Sequence, residues 1–496
     1  MALHPDVEQL LLGLTHSGTD GPPLGHHQIA RHAVAEAATL VWAREAFRGA
    51  PPASSVLDEV ASARRTLFEG FVASRYRPAF EMLGLEPPAH ETLTAPRRSL
   101  LADLALGAQG TSVGSELFSA EHEELRRNVR RFVQEELLPH AGEWDEGEAF
   151  PREIFRRAGD AGLFGLKFPP ELGGSGPDLV ADAVVTEELS GAASGGVTAA
   201  LVAHKDLAAL YLYNFGSPEQ HERWLRPLIS GHSIGALAVT EPGAGSDVSA
   251  VSSTARRDGD DWVIDGTKHF ITNGAWADVV VVAARTDPDA HGGLTLFVVD
   301  TDTDGFSARR MPMLGWRPSQ TGELFFDSVR VPDSARLGAP GSGFYAIMRN
   351  FAWERLVLAI GQSSAALRIL GVARSYAESR SAFGRTVGDF EVWRHRFAIA
   401  SAKADAGRSL TMSCLELIVR GEDPLLEVAM AKLFTSEVCF EIADQSLQVH
   451  GGLGYSRGPA VERAWRDSRL GPIGGGTSEI MKEIIGKLLP AGASSA

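Results

Sequence analysis

Positive charge is scarce in this sequence. Its 496 residues carry 47 Lys and Arg against 63 Asp and Glu, a formal net charge of −16. Nucleic-acid phosphates would be repelled overall, which argues against such a partner, although a local basic groove still suits a phosphorylated cofactor. Cysteine is nearly missing. Cys414 and Cys439 are the only two, too few for a disulfide framework or a cysteine-rich zinc site, so no metal centre is expected. Long apolar runs are also lacking. The longest strongly apolar stretch, Val279–Ala284, falls far short of the roughly 18 residues a membrane span needs. The opening MALHPDVEQLLLGLTHSGTD has no basic segment ahead of its short apolar run, so no signal peptide is predicted and a reduced, cytoplasmic protein is expected. The rest is ordinary globular material: 44% hydrophobic and 22% charged residues exclude wholesale disorder. The length implies about three domains.

Composition and periodicity divide the chain. Residues 1–115 read as a helical extension with helices over His27–Phe47 and Ser54–Leu83, ending in the Gly-rich linker Gly107–Gly114. From Phe118 the pattern is helical, with Ser119 as a helix N-cap and Leu125, Val129, Phe132, Val133 and Leu137 at intervals of three and four. Helical stretches continue over 150–166, 178–190, 195–215 and 218–230. The period then switches: Ala236–Val239, Trp262–Ile264, Asp278–Ala283, Leu294–Val299 and Gly322–Asp327 read as strands. Helices return after Gly341, over about 344–380, 389–420, 424–450 and 477–490. Domains are therefore expected at 116–233 (helical), 234–340 (β) and 341–496 (helical). The fold class is mainly α with a central β domain.

Thr240-Glu-Pro-Gly-Ala-Gly-Ser-Asp247 is the sharpest local signal. Pro242 and the glycines force a turn whose backbone can approach a ligand closely, and the hydroxyls of Thr240 and Ser246 offer donors. Read alone, such a segment is more often a tight turn between strands. It is followed by Lys268-His-Phe-Ile-Thr-Asn-Gly274, Arg380-Ser-Ala-Phe-Gly-Arg385, Gln448-Val-His-Gly-Gly452 and Ile473-Gly-Gly-Gly-Thr-Ser-Glu479.

In this order and at these intervals the segments resemble the acyl-CoA dehydrogenase family, over roughly residues 116 to 490. The resemblance implies a helical domain, a β domain and a C-terminal four-helix bundle, assembled as a homodimer or homotetramer. It implies FAD as cofactor, an acyl-CoA or acyl carrier protein thioester as substrate, and electron-transferring flavoprotein as electron acceptor. It places Thr240, Phe270 and Thr272 at the flavin ring and Ser246 at the pantetheine arm. Arg380 and Phe383 become the clamp that holds FAD across the dimer, where a planar guanidinium suits pyrophosphate. Gln448, Gly451, Gly452 and Thr477 fall to the cofactor, Arg355 to the substrate. His450 reads as structural. Phe390-Glu391 departs from the family's usual Phe-Gln, which removes one hydrogen-bond donor.

Oxidising a thioester at Cα–Cβ needs a base for a weakly acidic proton and donors that polarise the carbonyl. Many members carry the base as Glu in a Tyr-Glu-Gly-Thr segment, where this chain has Gly475. Isovaleryl-CoA and long-chain acyl-CoA dehydrogenases carry it instead on a long helix in a Glu-Arg-Leu context, matched here by Glu354-Arg355-Leu356. Glu354 is therefore the expected base, with Gly475 keeping the main-chain N–H that meets the thioester carbonyl. Burial should raise the Glu354 pKa, and a carboxylate restored at 475 is expected partly to replace it. Two other classes stay open at this point: a flavin oxidase or monooxygenase of the same fold, and a non-catalytic scaffold.

Overall fold

The computed structural model describes residues 117–289 and 292–488, so the helical extension expected over 1–115 lies outside the described residues. By compactness the chain separates into residues 120–357 and, beyond them, 117–119 with 358–488. The helix–strand–helix order is the one expected from the sequence.

Residues 120–357 begin with short helices. Helix Ala120–Phe132 starts directly after Ser119 and fixes Arg126 and Arg130 against Glu187 and Glu188 of helix Leu179–Leu189. That second helix is capped by the Asp178 carboxylate, which accepts from the Ala181 N–H at 2.8 Å. The stretch read as one helix over 195–215 is helix Gly195–Val202, a π-helical turn Ala203–Ala208, and helix Ala209–Phe215. The stretch 218–230 likewise contains a π turn, His221–Leu225. The widened turn at 203–208 buries three consecutive polar residues, His204, Lys205 and Asp206.

An eight-stranded sheet follows. In order across the sheet the strands are β6 (Phe306–Arg310), β7 (Gly322–Pro332), β3 (Asp261–Ile271), β2 (Thr254–Asp258), β4 (Val279–Arg285), β5 (Leu294–Asp300) and β8 (Arg336–Leu337), with β1 (Gly235–Ala238) parallel to β4. The apolar run Val279–Ala284 is the buried centre of β4, and Leu294–Val299 pairs with it antiparallel and equally buried. Burial on both faces explains why these strands read as continuous apolar runs, not as alternation. β2 and β6 escaped the sequence reading because they are polar and mostly exposed.

Helix Gly343–Ser379 leads out of the first unit. By length and composition it would suit a bilayer, but half of its most apolar window is buried inside the protein. In the second unit a hairpin (Ser381–Ala382 with Arg385–Thr386) precedes helix Glu391–Val419, which packs on helix Leu425–His450. Helix Ala460–Ser468, not foreseen, and helix Ser478–Leu488 pack on the same partner. Cys414 and Cys439 are buried free thiols.

Charge also enters the first core. Lys167, Asp182, Lys205 and Asp206 are almost wholly shielded from solvent. Lys205 Nζ lies 2.8 Å from Asp182 Oδ2 and 2.6 Å from Asp206 Oδ2. Lys167 Nζ lies 3.0 Å from Asp182 Oδ2 and also pairs with Asp206. Two cations face two anions, so removing one member strands a buried charge. Lys205→Met is expected to destabilise the protein by roughly 3–5 kcal/mol, read from the urea midpoint. Adding Asp182→Leu should recover part of that loss by restoring the balance of charge. An unchanged midpoint for the single variant would overturn this account.

Candidate functional site

The β1–β2 connection carries the Thr240–Asp247 segment. Glu241 N–H bonds the Ala244 carbonyl at 2.9 Å and closes the turn around Pro242 and Gly243. The Glu241 side chain is the turn's anchor, and sequence reading passed it over. Its carboxylate accepts from Ser252 N–H (2.7 Å), Ser252 Oγ (2.6 Å), Ser253 N–H (2.9 Å) and Lys268 Nζ (2.7 Å). Burial alone would raise the Glu241 pKa, but Lys268 and these donors bring it down to about 2. Burial drives Lys268 down to about 8 against the attraction of Glu241. Both values leave an ion pair at neutral pH. The pair ties β3 to the turn, and the His269 N–H bonds the Thr240 carbonyl at 2.8 Å. Thr240 and Thr272 are half-buried and Ser246 is exposed.

Between Lys268 and Ile271 the pairing of β3 with β7 is interrupted. Phe270 sits in this break with φ 59°, and its ring is 56% exposed. A non-glycine residue in the left-handed region is held there at a cost of about 1–2 kcal/mol. An aromatic ring turned outward by strained backbone is presented for contact, and is not core filling. Asn273, with φ 65°, is locked by bonds from its Nδ2 to the Ala200 and Gly235 carbonyls.

The long helix carries Glu354 and Arg355, which are 8% and 7% exposed. Burial raises Glu354 to about 7. The Tyr211 hydroxyl and the Arg355 guanidinium act against that rise, and Asp206 adds to it. Arg355 is itself lowered by burial, against the attraction of Glu354, and its guanidinium stacks 4.8 Å from the Phe351 ring centroid. The preceding residue, Trp353, donates from Nε1 to Asp206 Oδ1 at 2.9 Å.

In the second unit Arg380 ends the long helix and is exposed. Phe383, at the hairpin turn, has φ 53° and is 96% exposed. Gln448 is exposed on the last turn of helix Leu425–His450. Gly451 follows it with φ 59°, and a Cβ at Gly451 or Gly452 would meet open space. His450 is buried, its Nδ1 bonded to the Ser446 carbonyl at 2.7 Å and its ring stacked on Tyr376 at 4.0 Å. Thr477 Oγ1 accepts from the Ile480 N–H at 3.2 Å, the cap of the last helix.

Gly475 has φ +63°, and a Cβ there would lie 2.2 Å from Leu358 Cδ1. Its loop is pinned from below by the buried Lys432, whose Nζ donates to the Gly471 carbonyl at 2.9 Å and to the Gly476 carbonyl. A restored side chain at 475 therefore meets both backbone strain and Leu358. The partial rescue expected from the sequence is limited by these two features.

The residues assigned to FAD divide between the two units. In the first, the half-buried hydroxyls of Thr240 and Thr272 and an outward Phe270 suit a flat aromatic ring. In the second, an exposed guanidinium and glycines without close neighbours suit a phosphate-bearing chain.

Comparison with known proteins gives the family. The chain matches the acyl-CoA dehydrogenase N-terminal domain over residues 119–232, the middle domain over 236–329 and the C-terminal domain over 341–489. It is 38% identical over 401 residues to the long-chain specific acyl-CoA dehydrogenase of Sus scrofa, covering 80% of this chain and 91% of that one. It is 37% identical to the isovaleryl-CoA dehydrogenase of Oryza sativa, covering 76% and 93%. A solved structure of a probable acyl-CoA dehydrogenase from Mycobacterium abscessus superposes with a TM-score of 0.73 at 41% identity, covering 74% and 98%. The chain belongs to the acyl-CoA dehydrogenase family, whose members are FAD-dependent oxidoreductases.

Proposed function

We propose that this protein removes hydrogen from Cα and Cβ of an acyl-CoA thioester, with Glu354 as the base, and passes the electrons to an electron-transferring flavoprotein. One observation carries the assignment: a carboxyl buried on the long helix and brought to about 7 by that burial, in a chain whose other family base position is glycine. A base is most effective when its pKa lies near the working pH. FAD, when bound, supplies the acceptor for the hydride lost from Cβ. Glu354 takes the α-proton onto its carboxylate, and burial keeps water from competing for it. The Gly475 N–H polarises the thioester carbonyl, which acidifies the α-carbon. Ser246 meets the pantetheine arm, and Arg380 and Phe383 hold cofactor across a homodimer or homotetramer.

Glu354→Gln keeps shape and removes the proton acceptor. Flavin reduction by acyl-CoA should fall by roughly 10²–10⁴-fold with FAD retained. Near-normal bleaching at saturating substrate would overturn the assignment, and rapid reoxidation of reduced protein by air would favour an oxidase. The same variant has a stability signature. The Glu354 pKa is raised from 4.5 to about 7 in the folded chain. Its contribution is therefore full below pH 4.5, declines as pH rises, and is lost above about 7. Glu354→Gln should accordingly be more stable than the parent at pH 8, by on the order of 3 kcal/mol, and equal to it near pH 4.

Gly475→Glu in that background should recover little flavin reduction, because the new Cβ collides with Leu358. Adding Leu358→Ala should raise the recovery at least tenfold. Equal recovery with and without the Leu358 change would count against the steric account. Arg380→Ala should lower FAD occupancy and shift the oligomer toward smaller species, as seen by absorbance and sedimentation. Unchanged occupancy and size would remove Arg380 from the clamp.

A further inference from the structure

Tyr211 lies in the core of the first unit and is wholly buried. Its ring packs against Phe215, but its hydroxyl has no hydrogen-bond partner of ordinary geometry. A buried hydroxyl left without a partner destabilises the fold by about 1–3 kcal/mol. For packing alone, phenylalanine would serve better at this position. The hydroxyl faces the carboxyl of Glu354, and Glu354 Oε1 is likewise buried and without a partner.

Neighbouring contacts fix this approach. Asn214 Nδ2 donates to Asn350 Oδ1 at 2.9 Å, and Trp353 Nε1 donates to Asp206 Oδ1 at 2.9 Å. Tyr211 and Asn214 are three apart, and Asn350 and Glu354 four apart, so each pair shares one helix face. Asp206 is tied in turn to Lys167 and Lys205. Helix Ala209–Phe215 and the turn before it are thus bolted to the long helix on both sides of Tyr211. The charged and titratable groups facing the Glu354 carboxyl are Tyr211, Arg355 and Asp206. Of these, Tyr211 is the uncharged donor, whose hydroxyl can donate a hydrogen bond to the carboxylate while keeping its proton.

We propose that Tyr211 is a positioning residue for Glu354: its hydroxyl donates to the carboxylate while the base awaits substrate, holding it ionised and oriented, and lets go when the carboxyl takes up the α-proton. The proposal rests on Glu354 being the base, but its central measurement does not.

Tyr211→Phe removes one oxygen and keeps the ring. In the FAD-loaded full-length protein without substrate, the carbonyl stretch of the protonated carboxyl is followed by infrared spectroscopy against pH, assigned by its loss in Glu354→Gln. Its midpoint should move upward by about one pH unit in Tyr211→Phe, the order expected for loss of a charge-assisted hydrogen bond. The rising limb of flavin reduction against pH should move by the same amount, with the high-pH plateau within a few-fold of the parent. Thermal stability should be unchanged or higher, which sets this variant apart from a packing defect. An unmoved or lowered midpoint in a folded Tyr211→Phe protein would overturn the proposal. A midpoint that moves, together with normal flavin reduction by Glu354→Gln, would retain the Tyr211–Glu354 coupling and reject Glu354 as the base.

Discussion

Withdrawal of water from one carboxyl group is the constraint on which this site depends. On a helix surface Glu354 would be ionised, hydrated and a weak base. Burial raises its proton affinity to about 7, because the charged form loses its solvation. The surroundings moderate that effect without abolishing it. Arg355 favours the carboxylate, but burial also lowers Arg355 and turns it toward Phe351. Asp206 disfavours the carboxylate. Its own charge is largely answered by Lys167 and Lys205, so the quartet forms a nearly neutral floor and not a field that would swamp the Glu354 carboxyl. Trp353 joins that floor to the helix that carries Glu354.

A second constraint is backbone strain in the β domain. Phe270 and Asn273 have positive φ, as do Trp316 and Gln320 in the facing loop. These residues support one another. The Asn273 N–H bonds the Ser319 carbonyl, the Ala275 N–H bonds the Gln320 carbonyl, and Gln320 Nε2 reaches the Glu148 carbonyl at 2.7 Å. Gly196 completes the fit: a Cβ there would come within 2.6 Å of Pro318. Strain of this kind persists only where the neighbours over-determine it. Here its product is an exposed aromatic ring at Phe270, beside the Lys268–Glu241 pair that fixes the turn.

Much of this was legible in sequence, for physical reasons that differ by residue. Apolar runs such as Val279–Ala284 announce buried strands because both faces must be covered, and the long helix announces itself by length and composition. Glu354 was singled out in the sequence by glycine at 475 together with Glu-Arg-Leu at 354, and its burial followed the expectation. The strand Thr254–Asp258 was not legible, since an exposed polar strand has no apolar alternation. Nor were Lys167, Asp182, Lys205 and Asp206. Charged residues signal surface until the fold brings two of each sign together, and apart from the adjacent Lys205 and Asp206 the partners lie 15 to 39 residues apart, which leaves no local pattern. Tyr211 was silent for a related reason. Its proposed role lies in what its hydroxyl faces, and a tyrosine among alanines and leucines reads as core.

The proposed position of the base has a structural corollary. A carboxylate on a loop moves with the loop, whereas one on a 37-residue helix is held by helical geometry and by every neighbour of that helix. The loop at 475 takes a backbone conformation that glycine adopts without the strain a side chain brings. Gly475 adopts φ +63°, and the next residue, Gly476, φ +95°. Leu358, one turn beyond Glu354 on the same helix, fills the space a Cβ at 475 would need. Under the proposed assignment, a side chain at 475 and the Leu358 side chain compete for one space, so a carboxylate at 475 requires Leu358 to move. Once the helix carries both Glu354 and Leu358, the loop retains only what glycine can offer, a main-chain N–H, and Lys432 fixes that loop through the carbonyls on either side of it.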